Sequence, residues 1–479
     1  MILLFITIVI AGLAALSLGL AGLATLEHNT VIRSGHTAQL TQIVQSGIDA
    51  AAKAIDDPAH PNLIDNPGRF LSIEVVPAAL SPPDFGAGRF TVFSPRLEQD
   101  QVRGVRFGLT RESAKLSLEA VLAWEEESPG QGARALEQLP GITPIMVDSI
   151  LDWLDADDDP RPQGAEAAFY QEQRKTYRPR NAVPIALEEL LLIRDVQRSL
   201  IFGEDHQLTF GARQATLRRN PAASPFGTAS LGMADPFAPL SLSMPDTGIP
   251  GEGLGDTSAW QFLLTPYSAE KLVNSQNIAR LFLNEGNLEF LESQLRLHQL
   301  DDLSIQFIMT WRRENGNVSD PLDLLDAEIT IGEGTVQSPF SHSNPVAYER
   351  FLRLLDEATT EPAVVLRGRI NVNEAPRPVL EAVPELTSEL AALILERRRP
   401  GAETQRHTVW LLAEGIVDLE LMRTLSRRLT TGGDVYRIQV AGFFEGKPML
   451  HRAEAVLDAT VKPPRIVFYK DLTPLGVPE

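Results

Sequence analysis

Four acidic side chains in the run DWLDADDDPRPQGAE, residues 152–166, are spaced for cation chemistry. With Asp155 as the first position, Asp155, Asp157 and Asp159 fall at one, three and five and Glu166 at twelve, the ligand spacing of a calcium loop between two helices. Every donor is a carboxylate oxygen, which favours a hard cation such as calcium, and a final Glu at the start of the next helix could chelate through both oxygens. Position six, where such a loop turns on glycine, is Pro160, whose φ is fixed near about −65°. The chain must therefore follow another path, with Asp152 or Asp158 as substitute ligands. The competing reading is a helix end trailing solvated acids before Pro160 and Pro162, in which Arg161 offsets their mutual repulsion.

Other chemistry is sparse. The eight histidines are scattered singly, and there is no HExxH pair, GxSxG elbow, phosphate-binding glycine loop or dinucleotide fingerprint. Acid pairs such as Asp301/Asp302 and Glu188/Glu189 read as solvated helix faces. With no cysteine the fold uses neither disulfides nor thiolate ligands, and 63 acids against 43 Lys plus Arg give a net charge of −20 that disfavours polyanionic partners. The reading is non-enzymatic.

The elements that must position the acidic loop follow from periodicity. Residues 1–26 carry no charge and match the length of a membrane-crossing helix, retained as an anchor rather than cleaved as a signal. Residues 27–57 keep an apolar stripe through Leu40, Ile43, Val44 and Ile48, an amphipathic stalk packed on the soluble part. Short strand-like runs fill 58–118, helical patterns fill 119–430 around a Pro/Gly-rich linker at 220–256, and strands return at 431–479. The predicted fold is α+β: a long N-terminal helix on an antiparallel sheet, with a large helical insertion.

The insertion contains a faint repeat. LEQLPGITPIMVDSILDWL (136–154) and LEAVPELTSELAALILERR (380–398) share a pattern of helix, Pro-containing turn and helix, each preceded by a strand-like piece, KLSLE from Lys115 and RINVN from Arg369. Helix-hairpin-helix modules that grip DNA do so through a two-glycine hairpin. Here the first hairpin keeps only Gly141 and the second, Pro384-Glu385-Leu386, has none, so a membrane-anchored DNA-uptake protein is the weaker alternative and no nucleic-acid partner is expected.

These residues resemble the general secretion pathway protein K family, the minor pseudopilin K of type II secretion systems. The resemblance rests on Asp152, Trp153, Asp155, Asp157, Pro160, Arg161, Pro162, Gly164, Ala165, Glu166, Tyr170, Tyr177, Arg178, Pro179, Asn181, Glu189 and Leu190, supported by RINVNEAPRPVLEAVPELTSELAALILERRR from Arg369. It implies a pilin-like fold with a helix-hairpin-helix or SAM-like insertion. The implied role is a structural tip subunit of the pseudopilus that supports filament assembly and export across the outer membrane. Its implied partners are other minor pseudopilins and inner-membrane components of the secretion system. The implied location is the bacterial inner membrane, crossed once, with the soluble domain in the periplasm. No acid precedes Glu27, which suits a cap with no subunit above it.

Overall fold

The computed structural model describes residues 2–57, 62–81, 85–98, 101–203, 259–446 and 449–473, without the side chains of 2–9, 11, 29, 33 and 101–103. The Pro/Gly-rich linker expected at 220–256 lies outside the described residues. A single helix, α1 (Ile2–Asp56), runs 55 residues, roughly 80 Å at the α-helical rise. Among the described side chains, contact with the rest of the chain begins at His36, whose ring lies 4.5 Å from that of Phe85, and burial begins at Leu40. From there Leu40, Ile43, Val44, Ile48, Ala51 and Ala54 are buried, the three-to-four spacing that turns one helical face toward a core.

That face meets an antiparallel sheet of seven strands. The N-terminal strands are β1 (Ile73–Val76), β2 (Gly88–Glu98), β3 (Gln101–Arg106) and β4 (Thr110–Arg111), and the C-terminal ones are β5 (Val435–Phe444), β6 (Leu450–Asp458) and β7 (Arg465–Asp471). Their order is β1-β2-β5-β6-β7, with β3 on β2 and β4 on β5. Strand β2 pairs with β5 from Phe93↔Gln439 to Gly88↔Phe444, so the two ends of the soluble part close one sheet. Gly47 and Gly442 permit the close approach of α1: a Cβ on Gly47 would stand 2.5 Å from Val440 Cγ1, and one on Gly442 2.9 Å from Val44 Cγ2.

Among the described residues no helix is long and apolar enough to cross a membrane. Part of the anchor expected at 1–26 falls outside them, since the side chains of its first nine residues are not described. The described remainder, from Ile10 to Leu26, is shorter than the ~20 apolar residues a span requires.

Between β4 and β5 the chain builds a second body with its own core, continuous from Leu116 to Leu429. Helices dominate it, as the periodicity predicts, yet pairs of very short strands stitch it together. Leu116–Ser117 pairs in parallel with Leu264–Thr265, and Ile370–Asn371 with Leu429–Thr430. The first strand of each pair lies in the strand-like pieces KLSLE and RINVN read from the sequence, while their partners at Leu264–Thr265 and Leu429–Thr430 are too short to show a period.

The repeat is real in three dimensions. In the first copy α2 (Leu118–Glu127), α3 (Gln131–Glu137) and α4 (Pro144–Leu154) follow the strand; in the second, α6 (Arg377–Glu381) and α7 (Ser388–Arg397) do, with α5 (Ala167–Glu172) lying between the copies. Gly141 and Glu385 occupy equivalent hairpin positions with the same left-handed φ of 73°, and Thr143 and Thr387 both cap the following helix.

A buried ionic cluster joins the two bodies. Glu112, fully buried at the exit of β4, accepts from Arg437 Nε of β5 at 2.8 Å and Lys115 Nζ at 3.0 Å, and from the Thr265 hydroxyl. Arg437 also pairs with Glu454 of β6. Burial alone would raise the Glu112 carboxyl, but Arg437 and Lys115 outweigh it and hold it down to about 2. Replacing Glu112 with Ala leaves buried Lys115 without its carboxylate and Arg437 with Glu454 alone, so Glu112→Ala should cost about 3–5 kcal/mol in urea unfolding, far more than an exposed change such as Glu403→Ala.

Candidate metal centre

The acidic loop runs from the C-terminus of α4 to the N-terminus of α5. Asp152, in the last turn of α4, is wholly buried and acts as a staple: its carboxylate accepts the amides of Arg161 at 3.2 Å and Ala165 at 2.7 Å. The chain reverses at Arg161-Pro162-Gln163-Gly164, closed by the Gly164 amide on the Arg161 carbonyl at 3.0 Å, with Pro162 at the turn position its fixed φ favours. This turn does the work that glycine at position six does in a calcium loop, and Pro160 is accommodated ahead of it. Gly164 lies so close to the staple that a Cβ there would stand 1.9 Å from Asp152 Oδ2.

The path brings together Asp155, Asp157 and Glu166, whose ligand oxygens all lie within 4.8 Å of one another. Oxygens sharing one calcium at ~2.3–2.6 Å lie no more than about 5 Å apart, so the spacing fits one ion. Asp159 does not join them: it is exposed, and its amide donates to Asp157 Oδ1 at 2.9 Å. Nor does Asp152, occupied as a staple. Asp158 accepts from Asn181 Nδ2 at 3.3 Å, and the same amide holds the Asp157 carbonyl at 2.7 Å.

Glu166 supplies the test of fit. It is 3% exposed, at the N-cap position of α5, and both its carboxylate oxygens are buried without a hydrogen-bond partner, as is Asp155 Oδ1. Orphaned carboxylate oxygens are costly, and a cation among them removes that cost. Burial, then repulsion from Asp152, Asp155 and Asp158, pushes the Glu166 carboxyl up to about 7; burial, then Asp157, pushes Asp155 up to about 6 even though Arg161 opposes it. Asp155, Asp157 and Glu166 would hold the ion, which would supply charge neutralisation and cross-link the two helices.

An aromatic cluster backs the loop. Trp153 is buried edge-on to Tyr170 and Tyr177, with centroids 5.8 and 6.4 Å away, and its Nε1 donates to Glu189 Oε1 at 3.1 Å. Arg180 Nη2 closes on the other oxygen of Glu189 at 2.8 Å. The sequence named these residues without showing why they recur together. It also missed a third hairpin, where Asp195 takes a left-handed φ of 61° ahead of the short helix Arg198–Phe202; Asp195 and the hydrophobic pair Ile193 and Val196 around it were the available signal.

Residues 118–201 match the family model described as Type II secretion system (T2SS), protein K. Over this stretch the chain is similar to protein K of type II secretion. The matched stretch holds the acidic loop, its staple and the aromatic cluster, and it supports a minor pseudopilin role in type II secretion. One solved structure similar to it is the crystal structure of the GspK-GspI-GspJ complex from the enterotoxigenic Escherichia coli type 2 secretion system, at 10% identity over 92% of this chain and 99% of that one. Its TM-score of 0.38 is too low to bear on fold or partners. No curated protein matches the chain.

Two outcomes follow from this geometry. Gly164→Ala forces the Asp152 staple apart and should lower stability by at least about 2 kcal/mol, read as a fall in Tm. The carboxyls of Asp155 and Glu166 titrate higher in the folded protein than in the unfolded chain, where they lie near about 4. Folding therefore takes up protons between these values, and the stabilisation present below pH ~4 is lost as pH rises through about 6 and 7. Melting curves in a chelator should show that loss, and Glu166→Gln should flatten its upper part.

Proposed function

We propose that this minor pseudopilin caps the tip of the pseudopilus. In this reading residues 1–26 anchor it in the bacterial inner membrane, its soluble domain stands in the periplasm, and its partners are other minor pseudopilins together with inner-membrane components of the secretion system. The observation that carries the proposal is the bare stretch of α1 between Leu13 and Leu26. Leu13, Leu16, Leu18, Leu20, Leu23 and Leu26 are each more than 60% exposed, on a helix whose described side chains become buried from Leu40 onward. An apolar helix that projects so far needs lipid or neighbouring helices around it. The arrangement of that helix on an antiparallel sheet supports a pilin-like reading.

The position at the tip follows from bulk. The insertion spans residues 112–434, far more chain than the sheet that carries it, and it would obstruct a subunit repeated along a filament. The work of the chain is mechanical rather than catalytic, with no nucleic acid involved. Calcium in the acidic loop then serves stability: an ion that binds only the folded state adds RT ln(1 + [L]/Kd), about 2.7 kcal/mol at a hundredfold excess over Kd.

Leu16→Glu with Leu23→Glu should release the full chain from the inner-membrane fraction and end its co-purification with other minor pseudopilins, while the Tm of the soluble part stays unchanged because both positions are exposed. A wild-type chain found wholly in the soluble fraction overturns the anchored reading. Calcium should raise Tm and a chelator lower it, with magnesium less effective because it dehydrates reluctantly. Asp155→Asn with Asp157→Asn should abolish that response; a wild-type Tm indifferent to calcium would reduce the loop to a solvated helix end.

A further inference from the structure

The acidic loop already contains one cation, Arg161, and its placement is unusual. The guanidinium stands between three carboxylates on three elements: Nη1 lies 3.1 Å from Glu125 Oε1 in α2, Nε 3.6 Å from Asp152 Oδ1 in α4, and Nη2 3.6 Å from Asp155 Oδ2 in the loop. Only the first distance makes a hydrogen bond. Nε is buried with no hydrogen-bond partner, although both carboxylates beside it are acceptors. A side chain selected only to brace the loop would close those gaps, since charge-assisted hydrogen bonds of guanidinium to carboxylate are about 2.7–2.9 Å long. Arg161 is instead tethered to Glu125 and merely leans on Asp155.

Glu125 is well built as a tether. It is 7% exposed, and it also accepts the amides of Gly130 at 3.0 Å and Ala133 at 3.1 Å, at the start of α3. Its position is thus fixed by backbone, and the arginine it holds is fixed with it. Asp155, by contrast, offers Oδ2 to Arg161 and leaves Oδ1 buried and bare beside Asp157 and Glu166.

From this geometry we infer that Arg161 is a resident counter-charge that competes with the metal for Asp155 and sets the affinity of the site, with Glu125 limiting how strongly it competes. The inference rests on the metal reading of the loop. Without metal, the guanidinium neutralises part of the charge of Asp155 and keeps the loop folded. With a divalent ion at Asp155, Asp157 and Glu166, guanidinium and ion repel across one carboxylate, and Arg161 falls back on Glu125. The loop is therefore stable enough to persist empty and is correspondingly weaker as a metal site.

The test is calcium titration of the full chain in detergent by calorimetry, with Tm measured in chelator and in calcium. Arg161→Gln should bind calcium at least about tenfold more tightly, since a positive charge a few ångströms from the ion is removed, and should melt lower in chelator. Arg161→Lys, which keeps the charge, should stay near wild type in both. Glu125→Gln keeps the acceptor for the α3 amides but loosens the tether, so it should weaken calcium binding, the opposite sign from Arg161→Gln, and it reports even if Arg161→Gln does not fold. Calcium binding by wild type with unchanged affinity in Arg161→Gln and Glu125→Gln would leave the metal site standing and overturn the competition. Weaker binding in Arg161→Gln would make the arginine a brace and overturn it equally. A wild-type chain that binds no calcium overturns the site and the inference together.

Discussion

The joint between the sheet and the insertion centres on one buried carboxylate. Glu112 sits where β4 gives way to the insertion, and it gathers Arg437 from β5, Lys115 just ahead of the first strand of the insertion and Thr265 from that strand's partner. Four segments distant in sequence thus share one charge cluster in which Glu112 and Glu454 balance Arg437 and Lys115. The two large hydrophobic cores stay separate, one from α1 and the sheet and one from the insertion, and a small third cluster crosses the joint where Ala269 and Tyr267 of the insertion meet Val435, Val456 and Phe468 of the sheet. That apolar contact draws the bodies together, and the directional hydrogen bonds of the dry joint beside it help fix their mutual orientation. A sheet that carries a large inserted domain needs that rigidity if the domain is to point in one direction.

The acidic loop follows the same logic at smaller scale. Asp152 holds the two ends of the loop through backbone amides, and a turn on Pro162 replaces the glycine turn of a calcium loop. Its remaining acids are left facing one another with incomplete compensation, a state that folding tolerates because the aromatic cluster around Trp153 supplies the packing.

How much of this was legible in the sequence differed by feature. The apolar stripe of α1 between Leu40 and Ile48 was readable because a 3.6-residue period admits one buried face. Convergence of Asp155, Asp157 and Glu166 was readable from their spacing, but exclusion of Asp159 was not, because it depends on where Pro162 turns the chain. The role of Asp152 was hidden for the same reason: a staple is defined by amides nine and thirteen residues away, and no local pattern records them. The ionic joint was invisible altogether, since Glu112 and Arg437 lie 325 residues apart. The hairpin repeat lay in between. Its helices were plain, while Glu385 concealed that its backbone matches Gly141 in a conformation side chains resist.

Strands β4 and β5 are hydrogen-bonded neighbours, with Arg111 opposite Tyr436, so the chain leaves the sheet and re-enters it at adjacent points. Such an entry and exit form a two-stranded doorway whose width does not depend on what lies beyond it. The sheet and its helix can keep the dimensions that a helical assembly imposes on every subunit, while the inserted body lengthens, shortens or acquires loops without moving a single strand. Architecture of this kind separates two physical demands: the packing of α1 on its sheet, and the packing of the inserted body on its own core.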